Sequence, residues 1–60
     1  MYGLEARARY AELLLEWGDL PRCRLLMAES MKIAQRMPGG AREINREWLA
    51  LLKKVEGRLA

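Results

Sequence analysis

The stretch Trp17-Gly18-Asp19-Leu20-Pro21 ends one predicted helix and begins the next. Gly18 can adopt the left-handed conformation that closes a helix. Asp19 is a good N-cap residue, because its carboxylate accepts hydrogen bonds from free backbone N–H groups one turn on. Pro21 is tolerated in a first helical turn, where its missing N–H would have no helical partner. A stop, a cap and a start so close together predict an antiparallel helical hairpin.

Apolar residues at helical spacing extend from this turn in both directions. The first helix is predicted over Leu4–Trp17 and the second over Leu20–Met37. The segment Pro38-Gly39-Gly40 then predicts a helix break followed by a flexible connection. A third amphipathic helix is predicted over Arg42–Gly57. The apolar pattern continues to Leu59, so residues 42–59 form the third segment of the chain. The sequence therefore predicts an all-α fold of three helices in one small domain, residues 1–60.

The third helix has a clear apolar stripe, with residues three or four positions apart. The stripe consists of Ile44, Trp48, Leu51, Leu52, Val55 and Leu59. Leu49 falls outside it, among the polar residues of the same helix. We expect the stripe to pack along the hairpin.

In the hairpin, the large–small pair Tyr10-Ala11 precedes the Gly18-Asp19 turn, and two small residues, Cys23 and Ser30, flank Met27. This pattern resembles the tetratricopeptide repeat. That family has a large–small pair in the first helix, a turn, and two alanines around a large residue in the second. The resemblance covers about one repeat length. It implies a binding module built from stacked helical hairpins.

The resemblance implies a repeat-like hairpin over residues 4–37 and a capping helix over residues 42–59, of the kind that such arrays need at their ends. The chain departs from the family pattern at three positions, Arg7, Leu14 and the late Pro38. The alternative arrangement is a closed three-helix bundle, as in microtubule-interacting domains. In the repeat-like arrangement, Cys23 and Ser30 should contact the first helix near Ala11.

Composition limits the classes of protein to which the chain can belong. With 52% hydrophobic and 32% charged residues, its composition is not that of a disordered chain. Its apolar runs are too short to span a membrane. A single cysteine cannot form an internal disulfide, which favours a reducing, cytoplasmic compartment. Arginine outnumbers lysine, which indicates a bacterial origin.

The side chains of common catalytic and metal sites are missing. There is no histidine, and the acidic pairs Glu12 with Glu16 and Glu43 with Glu47 have no accompanying ligand. A solvated helix face is the more frequent role for such pairs. Cys23 is expected to have a packing role. We therefore predict no enzyme activity, no metal and no organic cofactor.

The first helix carries more apolar surface than one neighbour can bury. One lobe consists of Leu4, Ala8, Ala11 and Leu15, and a second lobe consists of Ala6, Tyr10, Leu13 and Trp17. Exposed apolar area of this kind usually marks an interface. We predict a homo-oligomer, most simply a dimer, with interface candidates Leu13, Trp17, Leu25, Trp48 and Leu49. The alternative is that neighbouring repeats of a longer repeat protein cover the same lobes.

The family resemblance also implies where a partner segment would bind. Partner peptides of tetratricopeptide repeats usually lie in a groove lined by first helices. The corresponding residues here are Glu5, Ala8, Glu12, Leu15 and Glu16. Their carboxylates would favour a basic or amphipathic partner segment.

A small nucleic-acid-associated accessory protein is the competing hypothesis. The net charge of +3 is mildly basic, and Arg42, Arg46 and Lys53 could contact phosphates, with Arg22 and Arg24. Nearby carboxylates dilute the positive charge, and no DNA-reading helix is evident. Nucleic acid is therefore the less favoured partner.

Overall fold

The computed structural model describes residues 3–59, and these contain four helices and no strand. The helices are α1 (Leu4–Trp17), α2 (Leu20–Arg36), α3 (Gly39–Ile44) and α4 (Arg46–Leu59). The predicted all-α class is therefore confirmed. Positions 1, 2 and 60 of the predicted domain lie outside the described residues.

The turn between α1 and α2 follows the sequence signals closely. Gly18 has a left-handed backbone with φ of 80°. The backbone N–H of Asp19 donates to the carbonyl of Leu14 at 2.9 Å, so a free carbonyl at the helix end is satisfied. The Asp19 carboxylate accepts from the backbone N–H of Arg22 at 3.4 Å. The α1 boundaries and the start of α2 are as predicted.

The third predicted helix is instead two helices, and this is the main correction to the predicted fold. Gly39 and Gly40 form the first turn of α3 rather than a flexible connection. Asn45 then separates α3 from α4. Its side-chain amide and its backbone N–H both donate to the carbonyl of Ala41, at 2.9 and 3.0 Å. The backbone bond is an ordinary helical one, and the side-chain amide competes with it for the same carbonyl, as asparagine side chains commonly do where helices end.

The break at Asn45 changes which apolar residues are buried. Ile44 was predicted on the packing stripe but is 83% exposed, and it is the last residue of α3, before the break. Leu49 was predicted among polar residues but is half-buried and packs against the core. The remaining stripe residues of α4 are buried or half-buried as predicted.

The core lies where α1 packs on both α2 and α4. Its buried members are Leu4, Ala8, Ala11, Leu14, Cys23, Met27, Met37, Leu52 and Val55. Small residues let the helix axes approach closely. The Cys23 thiol lies 3.4 Å from the carbonyl oxygen of Ala11, which is the contact expected between these helices. The fully buried Ser30 hydroxyl donates to the carbonyl of Leu26 at 2.7 Å.

Within residues 3–59, no helix has the combination of length and apolarity that crossing a membrane requires.

Candidate protein-interaction surface

One side of α1 is apolar and exposed, and we call it the outer face. It consists of Ala6, Tyr10, Leu13 and Trp17. Of the larger members, Tyr10 is 46% exposed, Leu13 is 41% exposed and Trp17 is 68% exposed. At about 100° per residue, all four fall within a narrow sector of the helix surface. The second apolar lobe predicted for this helix is therefore present, and no other part of residues 3–59 covers it.

The outer face is exposed because the opposite side of α1 is already occupied. Leu4, Ala8, Ala11 and Leu14 are buried there against α2 and α4. Because both neighbouring helices pack against one side of α1, the other side of α1 faces solvent. Apolar residues at solvent-facing helical positions contribute nothing to the core of this chain.

Charged residues border the outer face on both edges. On one edge, Arg9 donates to the carboxylate of Glu5 at 3.2 Å, and its guanidinium carbon lies 5.1 Å from the ring centroid of Trp48. Glu16 is exposed on the same edge. On the other edge, Arg7 lies 3.6 Å from the carboxylate of Glu29. The outer face is therefore an apolar strip between charged borders, which is the usual anatomy of an interface.

The groove implied by the family resemblance is not open in this structure. Ala8 is fully buried, and Leu15 is half-buried against the core. Arg9 lies over Trp48, so α4 runs along this side of α1. Of the five groove residues, Glu5 and Glu16 are exposed and Glu12 is half-buried. This side of α1 thus has exposed carboxylates along its edge but no open apolar groove.

The predicted interface residues separate into three groups. Leu13 and Trp17 lie together on the outer face. Leu25 is 68% exposed but lies on the side of α2 opposite its buried residues, away from the outer face. Trp48 and Leu49 are half-buried and pack against the core, so they mainly stabilise the fold.

Three exposed large apolar residues were absent from the predicted interface set: Tyr10, Leu20 and Ile44. Tyr10 belongs to the outer face, and its helical spacing from Leu13 was a sufficient signal. Ile44 carried no such signal, because its exposure depends on the break at Asn45. It borders a shallow pocket with Leu4 and Trp48.

A second cleft lies between α2 and α4 and contains the predicted phosphate contacts Arg42 and Lys53. The Arg42 guanidinium donates to the carbonyl of Ala34 at 2.8 Å, near the C-terminal end of α2. A cation at this position satisfies a terminal carbonyl and complements the helix dipole. Arg42 therefore ties α3 to α2, whereas Arg46 is exposed and only approaches Glu43, at 3.5 Å.

We expect Arg42→Ala to lower the free energy of unfolding by about 1 kcal/mol, since it removes one charge-assisted hydrogen bond. Arg46→Ala is the matched control and should change it by no more than about 0.5 kcal/mol, because exposed ion pairs contribute little. Urea unfolding followed by circular dichroism measures both. Equal effects of the two substitutions would contradict the anchoring role of Arg42.

Groups capable of chemistry are sparse in the described part of the chain. Residues 3–59 contain no cluster of three or more potential metal ligands. Burial raises the pKa of the Cys23 thiol, with Asp19 adding to the shift and Arg24 opposing it. A buried thiol with a raised pKa is a poor nucleophile, because the thiolate is the reactive form. Cys23 therefore fits a packing role.

Comparison with known proteins gives no relatives for this chain. No protein-family model matches it, and neither the curated proteins nor the solved structures include a significant match.

Proposed function

We propose that this chain is a non-enzymatic protein–protein interaction module that self-associates through the outer face of α1. The observation that carries the proposal is the exposure of Tyr10, Leu13 and Trp17 along one side of a helix whose other side is buried. Large aromatic residues on such a strip supply much of the binding energy at protein interfaces. Their exposure in a single chain would otherwise oppose solubility.

The proposed module has a tetratricopeptide-like hairpin in α1 and α2, with α4 as its capping helix. The contact of Cys23 with Ala11 supports this arrangement. A basic or amphipathic partner segment would approach the carboxylates at the edge of α1, Glu5 and Glu16. The proposed setting is a reducing cytoplasm, where a single buried thiol needs no partner.

The nucleic-acid hypothesis receives less support from the side-chain arrangement. Arg42 is hydrogen-bonded to the backbone of Ala34, and Arg46 approaches Glu43. Both guanidinium groups therefore already have partners within the protein, which leaves them less suited to contact the phosphates of a nucleic acid. A self-associating module is therefore the function that the surface supports best.

The fluorescence of Trp17 tests the proposal. In Trp48→Phe, Trp17 is the only tryptophan. We expect its emission to be blue-shifted at high protein concentration and to shift to the red on dilution, because dissociation exposes the indole. In the matched variant Trp17→Phe, the emission of the half-buried Trp48 should stay constant on dilution. Red-shifted Trp17 emission at every concentration would contradict self-association through the outer face.

A further inference from the structure

The residues of the outer face have the spacing of a two-helix seam. Ala6, Tyr10, Leu13 and Trp17 are separated by four, three and four positions. Alternating steps of four and three place side chains in the a and d positions of a heptad, where they interlock with a second helix. The seam spans about 16 Å at a rise of about 1.5 Å per residue.

We infer that α1 pairs with α1 of a second copy in antiparallel orientation, with Ala6 opposite the partner subunit's Trp17 and Arg9 opposite the partner subunit's Glu16. This inference rests on the proposed function and specifies the partner and its orientation. Two observations support it: the sizes of the seam residues and the charges on one edge.

Side-chain sizes favour the antiparallel orientation. It places Ala6 opposite the partner subunit's Trp17, and Tyr10 opposite the partner subunit's Leu13. Each layer then combines a larger residue with a smaller one. The parallel orientation would stack Trp17 on the partner subunit's Trp17 and leave alanine facing alanine. That arrangement overfills one layer and leaves a void in another, and both cost free energy.

The charges on one edge favour the same orientation. Arg9 and Glu16 precede Tyr10 and Trp17, which share one heptad position of the seam, so both flank the seam on the same edge. Glu5 and Glu12 lie farther round the helix from the seam. In an antiparallel pair, this edge faces the same edge of the partner. Arg9 then lies across from the partner subunit's Glu16, and the pairing occurs twice. In a parallel pair, Arg9 would face the partner subunit's Leu14 and find no charge to pair with.

A second copy fits this surface better than an unrelated partner would. A two-fold interface uses the same patch on both subunits, so the patch must be complementary to itself. The outer face meets this requirement in both size and charge. The two-fold axis passes through the middle of the seam, between Leu13 and Tyr10. α2 and α4 bury the other side of α1, and α4 also flanks the edge that carries Arg9, where Trp48 lies next to the guanidinium. A second α1 would therefore approach from the exposed side of Ala6, Tyr10, Leu13 and Trp17.

Charge reversal tests the orientation. In the variant Arg9→Glu, the two positions that flank the seam, 9 and 16, are both acidic, and in Glu16→Arg both are basic. We expect each variant alone to raise the dimer dissociation constant about tenfold at low ionic strength, because two attractive pairs become repulsive. An equimolar mixture should form a heterodimer with an affinity close to that of the wild type. The double variant Arg9→Glu/Glu16→Arg should self-associate like the wild type.

Matched controls reverse charge on α4, away from the seam. Lys54 and Glu47 are exposed residues outside α1, so Lys54→Glu and Glu47→Arg should leave the dissociation constant within about twofold of the wild type, because charges outside the contact are screened by salt. Arg9→Glu also loses the contacts with Glu5 and Trp48. The double variant shares that loss, so its recovery separates the interface effect from any effect on folding.

The outcomes distinguish the orientation from the proposed function. Sedimentation equilibrium on the single variants, their mixture and the double variant measures each dissociation constant. Recovery in both the mixture and the double variant supports the antiparallel pairing. If the wild type associates but neither recovers, the orientation is wrong and self-association stands. If the wild type is monomeric at every concentration, the proposed function is wrong and the inference fails with it.

Discussion

Replacing Leu52 by alanine is expected to unfold much of this protein at room temperature. Leu52 is fully buried at the centre of the core, where α4 meets the hairpin. Leucine-to-alanine substitutions in cores cost about 2–5 kcal/mol, from lost burial and from the cavity that remains. A core in a domain of this size supplies only about 3–5 kcal/mol of net stability. The substitution therefore removes most of what holds the helices together.

Leu25→Ala is the matched control, because the same side chain is removed from an exposed position of α2. We expect it to change the free energy of unfolding by no more than about 0.5 kcal/mol. Thermal unfolding followed by circular dichroism should be compared at one protein concentration, since association shifts the midpoint. A Leu52→Ala protein with the midpoint of the control would show that α4 does not pack as described.

Leu13→Glu is expected to weaken self-association at least about a hundredfold while the subunit stays folded, because each dimer would bury two unpaired carboxylates. Leu13 is 41% exposed and belongs to no part of the buried core. Glutamate is also a good helix former, so α1 should persist. The effect should therefore appear in the dissociation constant and leave the helical circular dichroism of the subunit unchanged.

The hairpin was predictable because its signals are local. Gly18 and Asp19 set the end of α1 and the start of α2 by their own backbone and side-chain hydrogen bonds. Such signals need no knowledge of the rest of the chain. The second apolar lobe of α1 was also visible, because helical spacing alone places Tyr10, Leu13 and Trp17 on one side.

The division between α3 and α4 was missed because a single polar residue decides it. The apolar spacing from Ile44 to Leu59 predicts one continuous stripe, and the break occurs at Asn45, whose side-chain amide donates to the carbonyl of Ala41. Once the helix is interrupted, residues before the break no longer share a face with those after it. This explains both the exposure of Ile44 and the position of Leu49 against the core.

The side of α1 that meets α4 could not be chosen from the sequence. Both lobes of α1 are apolar, and either one satisfies the pattern of a packed helix. In the structure, α4 packs against α1 with Trp48 next to Arg9, and Ala8 is fully buried, so the implied groove is closed. A helical wheel of α1 alone contains no information on which lobe a neighbouring helix covers.

The most direct test of the central claim is sedimentation equilibrium of the wild type beside Leu13→Glu and Leu25→Glu at tens of micromolar. The two variants carry the same new charge on exposed leucines, one on the outer face and one away from it. We predict dimers for the wild type and Leu25→Glu, and a folded monomer for Leu13→Glu. A folded monomer in all three samples, or dissociation by Leu25→Glu with Leu13→Glu still dimeric, would contradict self-association through the outer face of α1.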